Sequence, residues 1–149
     1  MTDDLIGQTL GQYRIEALLG SGGMGQVYRS VHRLLNRPAA IKVMQAHLAA
    51  NPDFRSRFLR EAQSAAALKH FNIVEIYDFG EQDGHLYLVM ELMTDGSLHT
   101  LLRRTAGQPL PLSLGLDLVQ QAAKGLAAAQ ALNMVHRQTS PGMVYKSRH

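Results

Sequence analysis

Two rhythms of apolar residues run along this chain. In the first part they alternate, as in strands that bury one face. Tyr13, Ile15 and Ala17 lead as a strand to Leu19, and Gln26 to His32 alternates β-branched and aromatic residues as a second. Asn36-Arg37-Pro38 reads as a turn, and Ala39 to Met44 as a short apolar third strand. Asn51-Pro52-Asp53 then changes the rhythm, with an N-cap, a proline at the first helical position and an acid in the first turn. The helix it opens should run to about Lys69, with Phe54, Phe58, Ala65 and Leu68 on one face. Ile73 to Phe79 returns to alternation, Asp83-Gly84 signals a hairpin, and Leu86 to Met90 reads as a buried strand. After the break at Thr94-Asp95-Gly96, Ser97 caps a short helix over Leu98 to Arg104. Gly107-Gln108-Pro109 is a loop. Ser113 is expected to cap a longer helix ending near Leu132, with Leu112, Leu116, Val119, Ala123 and Leu126 at helical spacing.

The first two strands are joined by Leu19-Gly20-Ser21-Gly22-Gly23-Met24-Gly25-Gln26-Val27. Glycines at this spacing let the backbone bend sharply and approach a ligand, and exposed N–H groups in such a turn suit phosphate oxygens. The pattern also fits a dinucleotide-binding turn, but that turn opens a helix, and a strand follows here. An ordinary glycine-rich hairpin is the plainer alternative. Val27 either covers a flat ring or fills the core. Lys42 stands inside an apolar strand, where an unpaired ammonium is costly to bury. Either it reaches back to water along its own stem or it has a partner. Glu61 falls on the apolar stripe of the long helix and is the natural candidate. Its ordinary alternatives are a solvated edge position or a pair with Arg57, four residues back.

Composition narrows the chemistry. The chain has 149 residues, enough for one domain with a core, and its 46% hydrophobic and 18% charged fractions are those of a globular protein. With no cysteine, disulfides, thiol catalysis and cysteine-bound zinc are excluded, and His32, His47, His70, His85 and His99 lack metal-ligand spacing. The net charge of +3 permits contact with nucleic acid without implying it, and none is expected. No stretch approaches the ~20 apolar residues of a membrane span, and the acidic Met1 to Asp4 does not begin a signal peptide, so a cytoplasmic location is expected.

In this order, Leu19 to Val27, Ala40-Ile41-Lys42, Arg60-Glu61-Ala62, Leu88-Val89-Met90-Glu91 and His136-Arg137 resemble the motifs of bacterial Hanks-type serine/threonine protein kinases, from about Leu10 to Pro141. The resemblance implies an α+β fold. A kinase-like small lobe, with a five-stranded antiparallel sheet and one long helix, would occupy residues 10–93. The first helices of an incomplete helical large lobe would follow over 94–141, with a tail over 142–149. It also implies site roles. Gly20, Gly22 and Gly25 would cover the ATP phosphates, and Leu19, Val27 and Ala40 would sandwich the adenine. Lys42 would hold the α- and β-phosphates and pair with Glu61. Met90 would stand at the back of the pocket, and the backbone of Glu91 and Met93 would bond the adenine edge.

The later motifs depart from the family. Gln138 stands where the catalytic aspartate belongs, Ser140 at the usual lysine and Met143 at the metal-binding asparagine. A neutral amide cannot take the proton of a substrate hydroxyl as a carboxylate does, and a thioether is a poor ligand for Mg²⁺. No Asp-Phe-Gly follows before His149. The expectation is an ATP-binding domain fragment that does not transfer phosphate, with weak ATP binding and no assigned magnesium ligand. A non-catalytic interaction module and a non-functional remnant of a longer kinase are the alternatives. The helix from Ser113, without large-lobe partners, would present an apolar face to a protein partner or a second copy.

Overall fold

The computed structural model describes residues 5–94 and 96–131, which form two units, one from 5–67 and 75–92 and one from 68–74, 93–94 and 96–131. The first unit is built on strands β1 (Thr9–Leu10), β2 (Tyr13–Gly22), β3 (Gly25–His32), β4 (Pro38–Met44), β5 (Ile76–Gln82) and β6 (His85–Met90). They form one sheet in the order β1-β2-β3-β4-β6-β5, every pair antiparallel. Five strands were expected; the sixth, β1, has two residues, too few for an alternating pattern. It pairs with β2 through a tight turn in which Gly11 has φ of +57°.

Register separates the faces of the sheet, because residues directly opposite on antiparallel strands point the same way. Tyr28 lies opposite Ile41, which lies opposite Val89. These three, with Tyr13, Ile15, Val43 and Tyr87, form the core, over which Leu5 and Leu10 close. Ser30 on this face is fully buried, and its hydroxyl donates to the Ala39 carbonyl. The β5–β6 hairpin turns at Asp83 (φ +51°) and Gly84 (φ +79°), the left-handed pair that the sequence signals there. That turn fixes Gln82 opposite His85, so β5 lies nearer the hairpin than the expected Ile73 to Phe79. Upstream, the chain turns on His70: its carbonyl accepts from Ile73 N and its Nδ1 from Asn72 N.

After β4 come one turn of helix, α1 (Ala46–Ala49), and the long helix α2 (Pro52–Ala67). The short α1 was not foreseen, having neither a capping side chain nor room for a period. Asn51 caps α2 as expected, its Oδ1 accepting from the N–H groups of Asp53 and Phe54. The helix lies against β5, and Arg55 forms an ion pair with Glu81.

In the second unit, Ser97 caps α3 (Leu98–Arg104), its Oγ accepting from Thr100 N at 3.1 Å. The helix α4 (Leu112–Ala131) begins before Ser113. Gly115 N already donates to the Pro111 carbonyl, so Pro111 holds the cap position and Ser113 lies within the first turn. Segment 68–74 docks on α4 at Gly125, where an added Cβ would lie 2.8 Å from the Asn72 carbonyl oxygen. Asn72 Nδ2 donates to Gln121 Oε1 nearby. The opposite side of the helix carries Leu112, Leu116 and Val119, which are 77%, 61% and 68% exposed. Among the described residues no helix is long and apolar enough to cross a membrane.

Candidate functional site

The sheet face opposite the core carries most of the residues singled out in the sequence. Val27 pairs with Lys42, and Lys42 with Leu88; Ala40 pairs with Met90. All five side chains therefore belong to one face. Ala40 is buried, while Val27, Lys42, Leu88 and Met90 are half-buried. Val27 lies outside the core cluster, on this second face. Leu88 was missed as a site residue, although it stands two residues from Met90 in the same strand and so shares its face.

Gly20 lies opposite Val27, and Gly22 opposite Gly25, across the hairpin formed by β2 and β3. The glycines here have two different physical roles. Gly25 is buried because β3 runs tight against β4: a Cβ there would overlap the Val43 carbonyl oxygen and sit 3.0 Å from Met44 Cα. Gly20, Gly22 and Gly23 have open space where a Cβ would stand. Nor does any of them have the positive φ that favours glycine. The sharp bend expected from glycine is thus made without left-handed backbone. Inside the protein, nothing described demands glycine at 20 or 22. Leu19 beside them is 53% exposed.

The expected ion pair between Lys42 and Glu61 is not formed. Glu61 is exposed, and among the described residues it pairs with neither Lys42 nor Arg57. The helical phase explains this. The line Phe54, Phe58, Ala62, Ala65 faces inward, and Ala62 is the buried residue of α2. Glu61 lies about 100° around the helix from Ala62 but only about 20° from Phe54, so it stands at the rim of that face. It is the solvated edge position. Lys42 is left as a half-buried residue between Val27 and Leu88, with no ion pair among the described residues.

Met90 ends β6, and the N–H of Glu91 donates to the Glu75 carbonyl at 2.9 Å, which fixes the chain as it leaves the sheet. Met93 belongs to the second unit. The departures at Gln138, Ser140 and Met143, and the tail, lie outside the described residues.

Residues 13–141 match the family model described as the protein kinase domain. Serine/threonine-protein kinase PknA of Mycobacterium tuberculosis is 38% identical over 145 residues, covering 93% of this chain and 33% of that protein. PknE of Mycobacterium bovis is 40% identical over 135 residues, covering 91% of this chain and 24% of the relative. The chain thus spans a third or less of the length of these two relatives. A crystal structure of the PknI kinase domain of M. tuberculosis superposes with a TM-score of 0.82 at 32% identity, covering 91% of this chain and 54% of that one. The small-lobe fold read from the sequence is the fold found, and the chain belongs to the protein kinase family, with serine/threonine kinases among its relatives.

Proposed function

We propose that this chain binds ATP through the second face of its sheet and, with the residues it has, does not transfer phosphate. The observation that carries the first half is the pair of unexplained glycines beside an unpaired lysine. Gly20 and Gly22 have neither a crowding neighbour nor a positive φ. Their lack of a side chain suits the close approach of something outside the protein. The half-buried Lys42 on the adjoining face supplies a cation for that ligand. A polyphosphate accounts for both, since it takes backbone N–H donors and a point charge together. Val27, Ala40 and Met90 supply an apolar surface for the base, and Leu19 adds to it. In this reading Glu61 contributes only if α2 rotates to bring it to Lys42.

The second half rests on residue identity. By resemblance, Gln138 replaces the aspartate that receives the substrate proton, and Met143 replaces a metal-binding asparagine. The test pairs two assays on the purified chain. Titration with a fluorescent ATP analogue should saturate, and Lys42→Met should weaken it at least tenfold. Incubation with labelled ATP and Mg²⁺ should give no autophosphorylation. Phosphate incorporation that is lost in Lys42→Met would contradict the second half.

A second reading, self-association without nucleotide, is favoured by the apolar stripe of Leu112, Leu116 and Val119 on α4. A second copy is the natural occupant, because one such stripe can meet its own image about a two-fold axis. Light scattering across a concentration series tests it. Dimers abolished by Leu116→Lys support it, and a monomer at all concentrations contradicts it.

A further inference from the structure

The glycine hairpin is held at its tip by one residue that the kinase resemblance does not single out. Gln45 follows β4 and stands at the cap position of α1, yet its side chain makes no capping bond. It turns instead to the hairpin, where Nε2 donates to the Gly22 carbonyl at 3.2 Å. The backbone N–H of the same residue donates to the Met24 carbonyl at 3.1 Å. Two carbonyls on either side of the turn at Gly23 and Met24 are thus drawn to Gln45. This continues the pairing of Gly25 with Met44 one residue past the end of β4.

We infer that Gln45 is a positioning residue that fastens the glycine hairpin and thereby sets the chain's affinity for nucleotide. The inference rests on the ATP-binding reading above. The geometry follows from peptide planarity. No cis peptide is present among the described residues, and in a trans peptide the C=O and the N–H point in opposite directions. When Gln45 holds the Gly22 carbonyl, the N–H of Gly23 in the same plane is turned away from Gln45 and held there. An orientable donor becomes a fixed one. Gly22 is paired with Gly25 across the hairpin, but Gly23 lies in the turn between the two strands with open space where a Cβ would stand, and glycine has the widest backbone freedom. Binding to a loop already fixed avoids the ordering cost that a loose loop pays on association.

The test uses two near-isosteric replacements. Gln45→Met keeps the length and the neutral charge but removes the donor; Gln45→Glu keeps the shape and has only acceptors when ionised. Backbone amide order parameters are measured first, without nucleotide, in the parent and both variants. In the parent, Gly22 to Gly25 should lie near the rigid value of about 0.85, and in both variants they should fall toward about 0.6, with β4 and β6 unchanged. ATP affinity, measured by the analogue titration, should weaken roughly three- to tenfold in Gln45→Met, the range expected for one lost hydrogen bond. Unchanged order parameters would overturn the fastening, whatever ATP does. Loosening without weaker binding would overturn its link to affinity. A parent that binds no ATP would sink the nucleotide reading and the link together, while the order parameters would still decide whether Gln45 fastens the loop.

Discussion

Replacing Gly25 with alanine puts the most stringent demand on the structure, because the obstacle is backbone. The new Cβ would overlap the Val43 carbonyl oxygen, with Val43 C and Met44 Cα each 3.0 Å away. No rotamer change relieves such a contact. β3 must part from β4 at this end, which disrupts the pairs Gly25–Met44 and Gln26–Val43 and the bond from Gln45 N to the Met24 carbonyl. At about 1 kcal/mol net for each hydrogen bond, the loss of two or three costs about 2–3 kcal/mol. For a chain of this size that lowers the melting temperature by roughly 5–10 °C. Thermal melts followed by circular dichroism, repeated in urea, measure it. A Gly25→Ala variant with the parental midpoint would refute the tight crossing of β3 and β4, and with it the separation of the loop glycines into structural and ligand-facing ones.

Gly22→Ala is the counterpart: with open space and ordinary φ, it should keep stability within about 0.5 kcal/mol, yet weaken ATP-analogue binding at least fivefold. In α4, Gly125→Ala should destabilise despite its better helix propensity, since its Cβ would lie 2.8 Å from the Asn72 carbonyl oxygen. Gly115→Ala on the same helix meets nothing and should stabilise by up to about 1 kcal/mol, so urea melts of the two variants should move in opposite directions. Burial, then the charge of Asp78 and then Tyr13, raise the pKa of the Tyr87 hydroxyl above its ordinary value. Its folded state therefore holds the proton longer than the unfolded one. This contribution to stability is intact below about pH 10 and is lost as the pH rises through the raised value. The Tyr87→Phe variant should lack that part of the alkaline decline, and identical profiles of stability against pH would contradict it.

Most of the strands and helices were legible in the sequence. β2 and β3 alternate, β4 and β6 read as short apolar runs, and α2 and α3 announce themselves with the caps Asn51 and Ser97. The short elements were not legible, because two residues of β1 and one turn of α1 have no period to show. β5 was displaced because its limits depend on the turn at Asp83-Gly84 and on the His70 turn upstream, neither of which alternation reports. At the site, parity along β4 puts Ala40 and Lys42 on one face, but that Met90 joins them depends on the register of β4 with β6, which the sequence does not report. The Lys42–Glu61 pair failed for a phase reason. Seven residues from Phe54 to Glu61 is nearly two turns, but the helix is seated on Phe54, Phe58 and Ala62, which leaves Glu61 at the edge. The different surroundings of Gly22 and Gly25 were beyond the sequence, because they depend on how closely β4 approaches one and leaves the other open.

The claim that Gly20, Gly22 and Lys42 together receive a nucleotide is tested most directly by a thermal melt of the chain with and without millimolar ATP. Lys42→Met serves as the control, and parallel samples contain Mg²⁺. A ligand at 100 times its Kd stabilises the folded state by about 2.7 kcal/mol, well above the resolution of a melt. The account predicts a higher midpoint with ATP in the parent and none in Lys42→Met. A cooperative parental melt that ATP does not move, or an equal shift in the mutant, would contradict it.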